Sequence, residues 1–337
     1  MPFLKDILKH KSVSMIGLDK NTGKTECLKY VLAQLKLSGH RVAVTSVGLD
    51  GESSDQVTNT PKPEINLFEN IIFATSEKHF RQKKVTAEIL DVSERKTALG
   101  RLITARAMSE GKCIISGPSD TAWLKNFISS MDHHEVDITL VDGAISRRSL
   151  ASPAITDCML LATGAAVSAN LQQLVKRTKF TVDLIQLPRF SDPLSSEIHD
   201  KDTGIWAVDV NGSIQVLEKE GPIRFNKATE DIFRRGAAIF FSGMITDRAL
   251  DELTRLVNDQ KVRIIARDFT RIFVSPEKLL KFESKGGKIF VLNRSELIAV
   301  CVNPYSPQGY HLNSEAMIDA LSEVLTVPVF DVKKLSA

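Results

Sequence analysis

The chain has 337 residues, 43% hydrophobic and 25% charged, with 44 basic side chains against 41 acidic ones and a formal net charge of +3. This composition fits a globular chain of about two domains and excludes a disordered or fibrous one. So small and evenly mixed a charge gives no electrostatic footprint for nucleic acid or an anionic membrane, and neither is expected as a partner.

Residues 1–18 lack the uninterrupted apolar run and small-residue cleavage site of a signal peptide. No segment approaches the roughly 20 apolar residues that cross a bilayer, so a cytoplasmic location is expected. Cys27, Cys113, Cys158 and Cys301 are far apart, with no CxxC and no histidine at metal-like spacing. They are expected to be reduced structural thiols.

Residues 12–18 predict a strand running into glycine, and 26–37 a helix with Leu28, Val31, Leu32 and Leu35 on one stripe. Residues 41–47 predict the next strand, followed by a long polar loop over 52–64 with Pro61 and Pro63. Further on, 85–92 predicts a strand, 99–108 a helix and 112–116 a strand that stops at Gly117-Pro118. Ser119 or Asp120 is placed to cap a helix bearing Trp123, Leu124, Phe127 and Ile128. Residues 137–141 predict a strand ending at Asp142-Gly143, and 154–162 and 180–187 add two βα-like units. Pattern is lost near 188–201. Beyond it a hairpin is predicted around Asn211-Gly212, then alternating strands and helices to a final helix over 314–325 and a last strand over 327–332.

Chemistry concentrates in Gly17-Leu18-Asp19-Lys20-Asn21-Thr22-Gly23-Lys24-Thr25. This stretch ends in the GK[ST] of a Walker A loop, although its first glycine stands one place earlier than GxxxxGK[ST] asks. Such a loop needs glycines and turn formers, here Gly17, Asn21, Thr22 and Gly23, because consecutive backbone N–H groups must turn inward on an anion at a helix N-terminus. Lys24 is placed to reach the β and γ phosphates, and Thr25 to offer its hydroxyl to Mg²⁺. Asp142 and Asp50 end predicted strands, where parallel sheets bind ligands, and are candidates for holding the metal and for catalysis. Gly143 would let the backbone pass close to the γ-phosphate, and Arg147 or Arg148 could sense it. Thr178-Lys179-Phe180-Thr181 lacks the aspartate of a guanine-reading [NT]KxD element, which favours ATP over GTP. The expected architecture is α/β: a P-loop NTPase domain with a doubly wound, mostly parallel sheet over residues 1–190, and a second α/β domain over 202–337 for partner or effector contact.

Two resemblances meet on these residues. GLDKNTGKT resembles the phosphate loop of the dethiobiotin-synthetase branch of P-loop proteins, where five residues also separate the first glycine from the GK pair. The stretch from Asp142-Gly143-Ala144-Ile145 through Arg147-Arg148-Ser149-Leu150 to Pro153-Ala154, with the two-part length, resembles the ATPase-like reactivase subunit associated with lysine 5,6-aminomutase. That resemblance implies a slow, partner-activated ATPase that keeps an adenosylcobalamin-dependent aminomutase working by driving exchange of a damaged cofactor. It also implies a companion reactivase subunit and the mutase as partners, homo-oligomerisation being a further possibility, with Lys24 and Thr25 on phosphate and metal and Asp50 and Asp142 in the metal's outer shell. The competing class is a dethiobiotin-synthetase-like kinase or ligase. That branch is similar in placing a lysine and a proline after its second strand, where this chain has Thr45-Ser46-Val47-Gly48. A regulatory nucleotide switch shares every phosphate residue with both.

Overall fold

The computed structural model describes residues 2–47, 64–143, 155–191, 195–209, 213–219, 238–256, 262–294 and 296–336. The chain divides into two compact units, one of Met1–Ala151, Ile155–Lys179 and Glu296–Ala337, the other of Ser152–Ala154 and Phe180–Ser295.

The first unit opens with a single helical turn, α1 (Leu4–Ile7), and then β1 (Ser12–Gly17), which is buried at every position as a strand covered on both faces must be. The helix α2 (Lys24–Leu37) follows the glycine-bounded loop and buries Cys27, Leu28, Val31, Leu32 and Leu35, the 3.6-residue stripe expected of it. It ends just before Gly39, at φ +74°. Next come β2 (Val42–Ser46), β3 (Ile65–Leu67), β4 (Ile72–Ser76), α3 (Glu77–Arg81), β5 (Ala87–Thr97), β6 (Gly100–Ala107) and β7 (Gly111–Cys113). Asp120 caps α4 (Thr121–Ser130), its Oδ1 accepting from the Trp123 N–H at 2.8 Å. After β8 (Ile138–Asp142) and β9 (Cys158–Gly164), the helix α5 (Leu171–Ile185) carries the chain across the boundary between units.

Two expectations fail here for physical reasons. Residues 99–108 form the strand β6 and not a helix, because β6 pairs antiparallel with β4 on one side and β5 on the other. Thr97 and Gly100 close the β5–β6 turn, with the Thr97 hydroxyl donating to the Gly100 carbonyl at 2.6 Å and Gly100 at φ +90°. Residues 180–187 supply no strand. Leu174, Thr178, Val182 and Ile185 are buried at helical spacing, and 180–185 complete α5.

The second unit contains α6 (Ser195–His199), β10 (Ile205–Val208), β11 (Ile214–Glu218), β12 (Ala238–Phe241), β13 (Ile245–Thr246), α7 (Asp247–Leu256), β14 (Arg263–Ala266), β15 (Ile272–Phe273), α8 (Pro276–Ser284) and β16 (Lys288–Val291). Among the described residues five of these strands form one sheet in the order β11-β10-β12-β14-β16. β10 and β11 pair antiparallel as the hairpin pattern predicts, while Asn211-Gly212 itself lies outside the described residues. Phe190, Ile198, Phe240, Ile265 and Leu292 pack into its core.

The chain then returns to the first unit with β17 (Glu296–Asn303), α9 (Ser314–Ser322), β18 (Val329–Phe330) and α10 (Val332–Ser336). Residues 296–337 thus group with the first unit, and 180–295 with the second. The reason is burial: β17 is apolar and enclosed over residues 297–302, and parallel pairing with β9 and β18 covers both its edges. Among the described residues nine strands make one sheet, β18-β17-β9-β1-β8-β2-β4-β6-β5, parallel from β18 to β4 and antiparallel in its last two pairings. The molecule is thus mixed α/β with a large, mostly parallel sheet. The carboxyl ends of β17, β9, β1, β8 and β2 line up along one edge, where Asn303, Gly164, Gly17, Asp142 and Ser46 stand.

Candidate functional site

The centre of that edge is the loop over residues 18–23, between the central strand β1 and α2. Leu18 N–H donates to the Ala162 carbonyl at 2.8 Å, so the loop leaves the sheet still tied to β9. Inside it, the Thr22 hydroxyl donates to the Asp19 carbonyl at 2.9 Å. Asn21 and Gly23 take left-handed conformations, φ 59° and 94°. These two reversals curl the backbone, and Gly23 cannot cap α2 with a side chain. A Cβ at Gly17 would sit 2.8 Å from Thr22 Oγ1 and 3.1 Å from the Asp19 carbonyl, so this first glycine is required by the curl itself.

Lys24, the first residue of α2, places its Nζ 3.0 Å from Asp142 Oδ1, with both side chains about a quarter exposed. Pairing across the sheet brings them together: Asp142 lies in register with Met15 of β1 on one side and Ser46 of β2 on the other. The contact is a charge pair without hydrogen-bond angles, and Asp142 Oδ1 is buried with no hydrogen-bond partner. Ser46 Oγ donates to the Asp142 carbonyl at 3.2 Å and fixes the strand end. Among the described residues no cluster of three or more His, Cys, Asp or Glu could hold a metal ion by itself. A single under-satisfied carboxylate beside a phosphate loop nonetheless suits Mg²⁺, which takes one or two protein carboxylates and completes its octahedron with phosphate oxygens and water.

With Thr25 next in α2, the structure thus brings Gly17, Asn21, Thr22, Gly23, Lys24 and Asp142 together at one sheet edge. Gly143 adjoins it, donating its N–H to the Met15 carbonyl at 3.0 Å. A Cβ there would make ordinary contacts, 3.6 Å to Met15 O and 3.8 Å to Val47 Cγ2, so the protein's own packing does not demand that glycine. Asp50 and Arg147, with Arg148 and most of the two loops around them, lie outside the described residues. Thr178, the first letter of the incomplete guanine element, is buried in α5 with its hydroxyl 2.8 Å from that of Thr163.

The sequence reading missed Asn303 and Arg177. Arg177, on α5, stands 3.5 Å from the Asp19 carboxylate in the phosphate loop. Asn303, the last residue of β17, donates from Nδ2 to the Asn21 carbonyl at 3.3 Å. A polar side chain closing an apolar run was the available signal, but nothing local tells which sheet that run will join.

Strand, curled loop, helix beginning at a lysine, and a carboxylate on the adjacent strand end define a phosphate-loop arrangement in a mostly parallel α/β sheet. No family model matches the chain, and no curated protein is significantly similar to it. Among solved structures it is similar to pNOB8 ParA, at 11% identity and a TM-score of 0.27 over 83% of this chain and 87% of that one. It is also similar to pNOB8 ParA bound to nonspecific DNA, at 11% identity and 0.25 over 84% and 86%. The phosphate-loop arrangement rests on this chain's own sheet and loop. The expectation that nucleic acid is no partner is withdrawn, because a small net charge summed over a whole chain does not exclude such contact; the second of these solved structures is bound to nonspecific DNA. No described helix is long and apolar enough to cross a membrane.

Proposed function

We propose that the chain binds Mg-ATP on residues 17–25 and is a slow ATPase whose nucleotide state governs its hold on a partner. The observation that carries this reading is the Lys24–Asp142 pair at the mouth of a loop built to accept an anion. Bound Mg-ATP supplies the phosphoryl group and the divalent charge that neutralises it. Lys24 would pair with the phosphates in place of Asp142, the loop amides and the first turn of α2 would donate to phosphate oxygens, and the Thr25 hydroxyl and the Asp142 carboxylate would hold the metal. Asp50 and Arg147 are proposed as a second carboxylate and a phosphate sensor. A site that relies on positioning and charge turns over slowly until its last groups are supplied.

The finer reading, reactivation of an adenosylcobalamin-dependent aminomutase, rests on the sequence resemblance over residues 142–154. A nucleotide shifts a protein between states only by its differential affinity for them, so affinity for the client must differ between the ATP and ADP forms. Calorimetric titration of wild type and Lys24→Ala with Mg-ATP tests the site, and equal affinities overturn it. Capture from source-cell extract in each nucleotide state tests the finer reading. Recovery of no aminomutase, together with rapid phosphorylation of a small metabolite, replaces it with a kinase or ligase.

A further inference from the structure

Asn303 lies 282 positions from Asn21 in sequence, yet it touches the phosphate loop on two sides. Its Nδ2 donates to the Asn21 carbonyl at 3.3 Å and to the Tyr305 carbonyl at 3.2 Å, while its Oδ1 accepts from the Tyr305 N–H at 3.3 Å. The amide is therefore fixed by its own chain exit and presents its remaining hydrogen to the loop. Its Cβ closes the other side: a Cβ built at Gly23 would stand 2.7 Å from it. The strand behind is equally close, since a Cβ at Gly164 of β9 would fall 2.2 Å from the Asn303 carbonyl, which accepts the Ala165 N–H at 2.9 Å. Asn303 is wedged between the end of β9 and the two loop residues with positive φ.

We infer that Asn303 is a positioning residue that holds the phosphate loop in its anion-accepting form before nucleotide arrives. Asn21 sits in the left-handed region, which asparagine enters more readily than most side-chain-bearing residues, so a single loop form depends on the surroundings to enforce it. The hydrogen bond to its carbonyl, and the Asn303 Cβ packed against Gly23, supply that enforcement from a strand that arrives after the second unit has been traversed. Without the clamp the free loop samples other conformations, and nucleotide must order it on binding. Affinity falls by the fraction of time the competent loop is lost. Once phosphate occupies the loop its amides are ordered again, so the chemical step is spared.

The inference rests on the loop being the phosphate site proposed above, and its test separates the two. Hydrogen exchange of amides 18–25 in the nucleotide-free protein, compared between wild type and Asn303→Ala, reads the clamp without nucleotide. Steady-state hydrolysis of Mg-ATP then reads its consequence. Expected are faster exchange in the variant, abolished by saturating Mg-ATP, and a KM for ATP raised about tenfold, the scale of one lost hydrogen bond, with kcat within about twofold. Asn303→Asp, near-isosteric and still able to accept from Tyr305, should show the same faster exchange and guards against a misfolded alanine variant. Unchanged loop exchange in both variants overturns the clamp. So does a loss that falls on kcat with KM unaltered. Wild-type protein that binds no Mg-ATP, with exchange still faster in the variants, sinks the nucleotide assignment and leaves the clamp standing.

Discussion

Lys24 Nζ sits 3.0 Å from Asp142 Oδ1, an ion pair that joins the first residue of α2 to the last residue of β8. Each group offsets the other's charge where both side chains are about a quarter exposed, and under the proposed function Mg-ATP would give each of them a new partner.

Removing either member should therefore act on different steps. Lys24→Ala is expected to weaken Mg-ATP binding by roughly a hundredfold or more, because a charge-assisted contact to phosphate is lost and Asp142 is left to repel it. Asp142→Asn should keep much of the binding but slow hydrolysis on the order of a hundredfold, the cost of one preorganised charge contact. Titration calorimetry and phosphate release check the two, and full hydrolysis by Asp142→Asn would move the metal role to another carboxylate, Asp50 first.

Two left-handed glycines make a controlled comparison. A Cβ added to Gly39, at φ +74°, would meet nothing within 4 Å, whereas one added to Gly23, at φ +94°, would meet the Asn303 Cβ at 2.7 Å. Gly39→Ala should cost only conformational strain, about 1–2 kcal/mol, and leave ATP affinity intact. Gly23→Ala should cost more in denaturant titrations and abolish nucleotide binding. Equal losses in both assays would show that the wedge has no effect.

Core truncations should separate the units. Leu28 is fully buried under the sheet of the first unit, in the helix that starts at Lys24. Phe282 is fully buried in α8 of the second unit, where a Cβ at Gly287 would lie 2.4 Å from its ring. Each alanine variant should lose about 2–5 kcal/mol of stability. Leu28→Ala is expected to weaken Mg-ATP binding as well, and Phe282→Ala to leave it unchanged at temperatures below its melt.

Alkaline pH should destabilise the fold through its thiols. Burial pushes Cys113 up to about 11 and raises Cys158, and the contact with the Cys27 sulfur, together with burial, pushes Cys301 well up. In the unfolded chain these thiols ionise near 9.0. Between pH 9 and 11 the folded state thus keeps protons that the unfolded state releases, so stability is constant below that window and falls as pH rises through it. Urea midpoints at about pH 7.5, 9 and 10 measure the decline, and Cys113→Ala should make it shallower by that thiol's share while Cys158 and Cys301 maintain the rest. Below about pH 8 a thiol reagent should label the four buried cysteines far more slowly than it labels unfolded protein.

The sequence by itself determined what is local. The run 12–17, the turn residues from Gly17 to Gly23, the GKT triplet and the stripe of Leu28, Val31, Leu32 and Leu35 are contiguous, and their strand, loop and helix follow from side-chain period and glycine conformations alone. Asp142 was legible for the same reason, as a carboxylate ending an apolar run. What tertiary structure decided is how far strands travel to find partners. Residues 99–108 carry no local mark that distinguishes a helix from a strand flanked on both edges, and only β4 and β5 together settle it. Asn303 follows an apolar run that could enclose itself in either sheet, and its contact with Asn21 exists because β17 pairs with β9 across an intervening unit. Backbone pairing energies depend on both strands at once, so a residue whose role is conferred by a neighbour about 280 positions away has no signature in its own surroundings.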